Sequence, residues 1–183
     1  MKRCLMICLF LGLAFSVAAQ VHTAEVDLVV DGTNVALPWL RESKGLLFYT
    51  LDNEYASGTE MNLACKTDGY RYQCLVATDS RTLKLAVLYC GPAVASVPPQ
   101  QNMVLDDTRG RDYLCLIYSD KPIDADQLLK KYAKAEGNFY SRMETSLKEY
   151  RTPASEVRYI QNRLGLTCYS NGMVPLYIEV EHR

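Results

Sequence analysis

The chain is poor in the residues that chemistry at a site usually requires. It has two histidines and one tryptophan in 183 residues, and its 20 basic side chains nearly balance 21 acidic ones. A formal charge of −1 leaves no electrostatic footprint for nucleic acid, so no nucleic-acid partner is expected. No glycine is followed by lysine, which removes a P-loop, and no two glycines stand close enough for a GxGxxG turn. There is no CxxC for a zinc ribbon or a thioredoxin-type pair, no GxSxG elbow and no Ser-x-x-Lys. His22 and His182 fall near the ends of the expected mature chain, where segments fray, so both are expected in solvent; a metal site between them would require neighbouring terminal strands. No catalytic or cofactor-binding residue is assigned, and no cofactor is expected.

What is present reads as an ordinary globular chain. Hydrophobic residues make up 49% of it, and only 10 glycines and 7 prolines occur, which excludes a disordered or collagen-like composition. Lys2 and Arg3 precede an apolar run over residues 5–15, and Ser16-Val17-Ala18-Ala19 supplies small residues for a signal peptidase. This layout predicts a signal peptide over residues 1–19 and a mature chain beginning at Gln20. The run is too short to span a bilayer, and no later stretch reaches about 18 apolar residues, so no membrane span is expected after cleavage. The protein is expected to be exported, to the periplasm or beyond. Five cysteines then remain: Cys65, Cys74, Cys90, Cys115 and Cys168. Disulfides are possible among them in an oxidising compartment, but an odd number leaves at least one thiol, and small buried hydrophobes explain them equally well.

Along the chain, residues 26–30 alternate before Asp31-Gly32, which predicts a hairpin with its return strand over 33–37, Leu28 facing Val35 and Val26 facing Leu37. Pro38 ends it, with Trp39 and Leu40 expected under the sheet. Further strands are predicted over 46–51, 60–66 and 70–78, the last with Tyr70, Tyr72, Cys74 and Val76 on one face. Residues 83–90 read as a strand covered on both sides, and 113–118 as a central strand. Residues 91–112 read as an irregular connection. The period then changes: Asp124 caps a first helix, Asn138 a second, and Thr152-Pro153 opens a third that ends at Gly165. Tyr132, Tyr140 and Tyr150 fall on apolar helical stripes and are expected in the core. Residues 166–170 and 173–181 flank Asn171-Gly172 as a terminal hairpin.

The order of strands, helices and strands predicts an α+β fold, an antiparallel β-sandwich-like domain with a C-terminal helical extension and terminal hairpin. The expected organisation is a signal peptide (1–19), a β-rich domain (20–123), and helices plus hairpin (124–183) packed on that same domain. Asp106, Asp107, Asp112 and Asp120 are weak candidates for a hard cation, although no EF-hand spacing occurs and turn hydrogen bonding explains such residues as well.

Gly58-Thr59-Glu60, the strands around Tyr70-Arg71-Tyr72, the apolar run 83–89, Met103-Val104-Leu105 and the run from Gly110 to Ser119 before Lys121-Pro122 occur in an order that resembles a bacterial family, domain of unknown function 4384. The resemblance covers about residues 46–129. It implies an accessory or interaction role, since such domains often accompany caspase-like or kinase domains, and it carries over no catalytic residue. The combined expectation is an exported bacterial envelope protein acting as a non-catalytic binding module for a protein or polysaccharide. The alternatives are a hydrolase using the clustered aspartates and a carbohydrate-binding module using surface tyrosines.

Overall fold

The computed structural model describes residues 21–35, 39–43 and 46–183. The signal-peptide expectation and the hairpin beyond residue 35 lie outside them. In chain order the strands are β1 (His22–Val30), β2 (Thr33–Asn34), β3 (Trp39–Ser43), β4 (Leu46–Tyr55), β5 (Glu60–Asp68), β6 (Tyr72–Asp79), β7 (Ala86–Pro92), β8 (Ser96–Val97), β9 (Met103–Val104) and β10 (Gly110–Ser119). Helices α1 (Ala125–Lys134) and α2 (Phe139–Leu147) follow, then a 3₁₀ turn over Ala154–Glu156 and strands β11 (Val157–Tyr159), β12 (Leu164–Cys168) and β13 (Val174–His182). The α+β, sandwich-like class read from the sequence is the fold observed.

Two sheets and a helical layer make up the molecule. The first sheet runs β11-β12-β1-β5-β8, with β2 beside β1 and β9 beside β5. The second runs β3-β4-β13-β10-β6-β7, antiparallel except where β13 lies parallel to β4. Alternation explains the first sheet: Ala24, Val26, Leu28 and Val30 point inward along β1, joined by Met61 and Leu63 of β5 and Leu164 and Leu166 of β12. The second sheet meets them with Leu75, Leu114, Leu116, Leu176 and Ile178. Its opposite face carries Cys74, Val76, Cys115, Ile117 and Tyr177 under Leu128, Tyr132, Phe139, Met143 and Leu147 of the helices. Strands β6, β10 and β13 are therefore apolar over residues 74–77, 113–118 and 174–178, because both faces are covered there.

Several expectations hold. Asp31-Gly32 turns β1 into β2 with Val30 opposite Thr33, and the Val35 amide donates to the Leu28 carbonyl at 2.8 Å. Asp124 caps α1 by accepting from the Gln127 amide, and Asn138 caps α2 by accepting from Ser141. Strand β10 is central, between β13 and β6.

Others are corrected. The doubly covered strand is not 83–90: β7 is a half-buried edge. Strand β4 runs on through Asp52-Asn53 to Tyr55, and Trp39 lies exposed on the edge strand β3. The connection over 91–112 contains β8 and β9, which pair with β5. The third helix is absent; after Pro153 only a single 3₁₀ turn forms, and Val157-Arg158-Tyr159 pairs with β12 instead. Asn171-Gly172 does turn the chain, but β12 pairs with β1 and β11 while β13 pairs with β10 and β4, so the turn carries the chain between sheets. Asp68-Gly69 does the same between β5 and β6. Tyr70 thereby enters the sandwich core, whereas Cys74 and Val76 face the helices. Of the helical tyrosines, Tyr132 is buried and Tyr140 half-buried, but Tyr150 lies beyond α2 and is exposed.

One side chain pins the two sheets together. Tyr49 of β4 is fully buried, and its one hydroxyl proton is shared between the carbonyls of Ile160 (2.7 Å), just past β11, and Gly165 (2.8 Å) of β12. Burial pushes its pKa up to about 12. Gly165 is required because a Cβ there would lie 2.8 Å from the Ala24 carbonyl oxygen. In urea denaturation, Tyr49→Phe should lose about 1–2 kcal/mol for the abandoned hydrogen bonds. Gly165→Ala should lose about 2–3 kcal/mol by forcing backbone apart.

Candidate functional site

The aspartates singled out in the sequence do not form one cluster: Asp106 lies near enough to Asp112 to disfavour its charge, but Asp120 does not join them. Asp112 stands near one end of β10 and Asp120 just beyond the other, roughly 26 Å apart at about 3.3 Å per residue. Asp106 accepts from the Thr108 amide at 2.6 Å in its own turn, and Asp107 is exposed. The Asp120 carbonyl takes the Arg71 guanidinium at 2.7 and 3.0 Å. Among the described residues no group of three or more His, Cys, Asp or Glu side chains is arranged to hold a metal ion.

The histidines overturn their expectation. Both are buried, His22 with 1% and His182 with 3% of its surface exposed. They also lie at opposite ends of the sandwich. His22 sits against Gly69, beside the corner where β13 begins, and its Nε2 lies 3.1 Å from Asn171 Oδ1. His182 closes β13. Its Nδ1 is 3.1 Å from Asp112 Oδ2 and its Nε2 3.2 Å from Ser57 Oγ. A carboxylate only accepts, so Nδ1 carries a hydrogen; when the ring is neutral, Nε2 accepts from the Ser57 hydroxyl. Sequence reasoning missed this set because Ser57, Asp112 and His182 are far apart along the chain and carry no motif. Burial pushes the Asp112 carboxyl above its ordinary range; His182 opposes this, while Asp106 and Asp79 reinforce it.

The hydrogen-bond order is that of a Ser–His–Asp relay, yet the surroundings are those of a clamp. The His182 ring is completely enclosed, and the amides next to Ser57 are already engaged, Gly58 with the Leu105 carbonyl (2.8 Å) and Thr59 with the Ala56 carbonyl (3.2 Å). An acyl-transfer site needs free donors where the oxyanion develops. The set ties together the end of β4, the start of β10 and the end of β13.

Among the described residues, clefts on two sides of the helical layer offer binding space. One, of about 470 Å³, lies between α1, the end of α2 and the Asn171-Gly172 corner. There Lys131 pairs with Glu149 at 2.6 Å and lies 4.7 Å from the centre of the Tyr150 ring. The other, of about 540 Å³, opens where α2 begins over the second sheet. Half-buried Phe48 of β4, Tyr113 of β10 and Tyr140 of α2 line it. Phe48 and Tyr140 have ring centres 5.2 Å apart, and Tyr113 stacks on the buried Phe139 at 5.0 Å. The rim is polar and internally braced. Tyr140 donates to Glu179 and Tyr177 to Glu144, each at 2.7 Å; Arg111 meets Glu181 at 3.0 Å, and Arg151 pairs with Glu144. Burial, then the Glu179 contact, pushes the Tyr140 hydroxyl well above its usual range, so it stays a donor.

No protein-family model, curated protein or solved structure matches the chain. Among the described residues no helix is long and apolar enough to cross a membrane.

Asp79 lies in the turn that faces the start of β10. Partial burial opposes its charge, but the Thr82 hydroxyl and the Thr82 and Arg81 amides bond to it and hold its pKa below the ordinary value. A depressed carboxylate contributes stability that is complete above pH ~4 and is lost as pH falls through its folded-state pKa. Asp79→Ala should therefore destabilise by about 1 kcal/mol at pH 7. The difference from the parent should narrow below pH ~3, which urea titrations at a series of pH values will show.

Proposed function

We propose that the protein is an exported, non-catalytic binding module of the bacterial envelope, and that a polysaccharide chain is held in the aromatic cleft. The observation that carries this reading is the pairing of Phe48, Tyr113 and Tyr140 with the rim of Arg111, Glu144, Arg151 and Glu179. Flat, half-exposed aromatic rings suit the apolar faces of sugar rings, and fixed carboxylates and guanidinium groups suit their hydroxyls. The rings stand on two strands and a capped helix, so little is lost in ordering them on binding. The signal-like residues 1–19 support export, and the resemblance to domain of unknown function 4384 supports an accessory role.

Expressed with residues 1–19, the protein should leave the cytoplasm and begin at Gln20, and this mature form should be retained on insoluble polysaccharide in a pull-down. Phe48→Ala or Tyr113→Ala should weaken retention about tenfold, equivalent to ~1.4 kcal/mol. Loss of retention in neither variant, or none by the parent, would overturn the polysaccharide reading.

A second reading, an acyl hydrolase, draws on one observation, the Ser57–His182–Asp112 chain. It requires the Ser57 hydroxyl to be activated. A fluorophosphonate probe separates the two: the binding-module reading expects no labelling, and labelling abolished in both Ser57→Ala and His182→Gln would put the hydrolase first.

A further inference from the structure

We propose that Cys74 and Cys90 are a modification site, a cysteine pair converted to a disulfide by thiol–disulfide exchange with a disulfide-bearing oxidant. The inference rests on strand register and stands apart from the polysaccharide reading. All five described cysteines are thiols in this structure. Cys74 of β6 and Cys90 of β7 lie directly opposite one another in an antiparallel pair, and both side chains face the helical layer. Directly opposed residues in such a pair have Cα atoms about 4.5–5.5 Å apart, inside the range of about 4.4–6.8 Å that a disulfide spans.

Topology removes the other pairings. Cys65 and Cys168 belong to the first sheet and face the sandwich core, whereas Cys74, Cys90 and Cys115 belong to the second sheet and face the helices. Cys65 lies opposite Val26 and Cys168 opposite His22, so β1 stands between them with a four-residue offset. Cys115 lies opposite Val76, while Cys74 lies opposite Ile117. Cys115 and Cys74 are thus diagonal neighbours at about 7–8 Å, too far for a bridge without backbone movement. Burial pushes the Cys65 thiol up to about 11 and the Cys115 thiol well above its usual range. The hydrogen bond to Cys90 together with burial pushes Cys74 well above it too, so of these four Cys90 is the thiol suited to attack first.

The two members of the pair have different roles. Cys90 is half-buried on an edge strand, whereas Cys74 is fully buried. A hydrogen bond from the Cys74 thiol favours the thiolate of Cys90 and pulls its pKa down. Cys90 as thiolate attacks one sulfur of the oxidant's disulfide and expels the other as a thiolate, forming a mixed disulfide. Cys74 then gives up its proton and attacks the Cys90 sulfur, expelling the second thiolate. The protein loses two protons and two electrons, and the oxidant becomes two thiols. The Cys90 thiol also donates to the Ile123 carbonyl at 3.6 Å, and oxidation removes that donor from a residue lining the cleft beside α1.

The test uses the purified chain in an oxidised/reduced glutathione buffer, followed by denaturation, alkylation and peptide mass mapping. One cross-linked peptide should join Cys74 to Cys90, with Cys65, Cys115 and Cys168 recovered alkylated, and Cys115→Ser should not change this. In Cys74→Ala, Cys90 should accumulate as the glutathione adduct, since the resolving thiol is gone. A different cross-link, or full alkylation of Cys74 and Cys90 in the folded parent, would overturn the proposal. Peptide mapping of the parent decides the matter even if the alanine variant fails to fold.

Discussion

Everything else in this fold depends on the second sheet being apolar on both faces. One face closes the sandwich through residues such as Leu116 and Ile178, and the other seats the helices through Ile117 and Tyr177. The central strands consequently lack polar relief along most of their length, and polar side chains gather at strand ends and edges. Each buried aliphatic side chain contributes about 1.5–3 kcal/mol, so a sheet used twice supplies most of the driving force of a chain this size. Helices as short as α1 and α2 have little intrinsic stability in water, and they persist because that outer face holds them.

The same arrangement decides where function has room. With both faces of the second sheet covered, a cleft lined by several aromatic rings arises where the helical layer stops short. The aromatic cleft is such a margin: α2 begins there, and Tyr113 passes from core stacking on Phe139 to the cleft lining. The sandwich ends are closed differently, by buried imidazoles. His182 uses both ring nitrogens, on Asp112 and Ser57. His22 uses one on Asn171, while its Nδ1 has no hydrogen-bond partner among the described residues.

Much of this architecture is written locally. Period-two alternation in β1 and β5, the Asp31-Gly32 turn, the caps Asp124 and Asn138 and the apolar stretch of β10 depend on neighbours a few residues away, and each reads correctly. The errors share a different origin. Asp68-Gly69 and Asn171-Gly172 have hairpin chemistry, but a tight turn does not specify whether its flanking strands pair or diverge into facing sheets; tertiary packing makes that choice. Pro153 can open a helix or a single turn, and here Val157 and Tyr159 find β12 before a helix can propagate. The site was least legible of all. Ser57, Asp112 and His182 meet only through the pairing of β13 with β4 and β10, and the rings of the aromatic cleft come from three separated segments.

The position of β13 has a consequence for how the chain acquires its structure. This last strand lies between β4 and β10, with Ile178 opposite both Tyr49 and Leu114. Because β13 follows both in sequence, β4 and β10 each wait with a row of unpaired backbone groups until it is made. Such a topology delays closure of the sheet until β13 is present, which makes its formation a late, long-range step. It also makes loss of β13 far more damaging than loss of an edge strand such as β3. What would be removed is the middle of a sheet, leaving two exposed edges competent to pair with other chains.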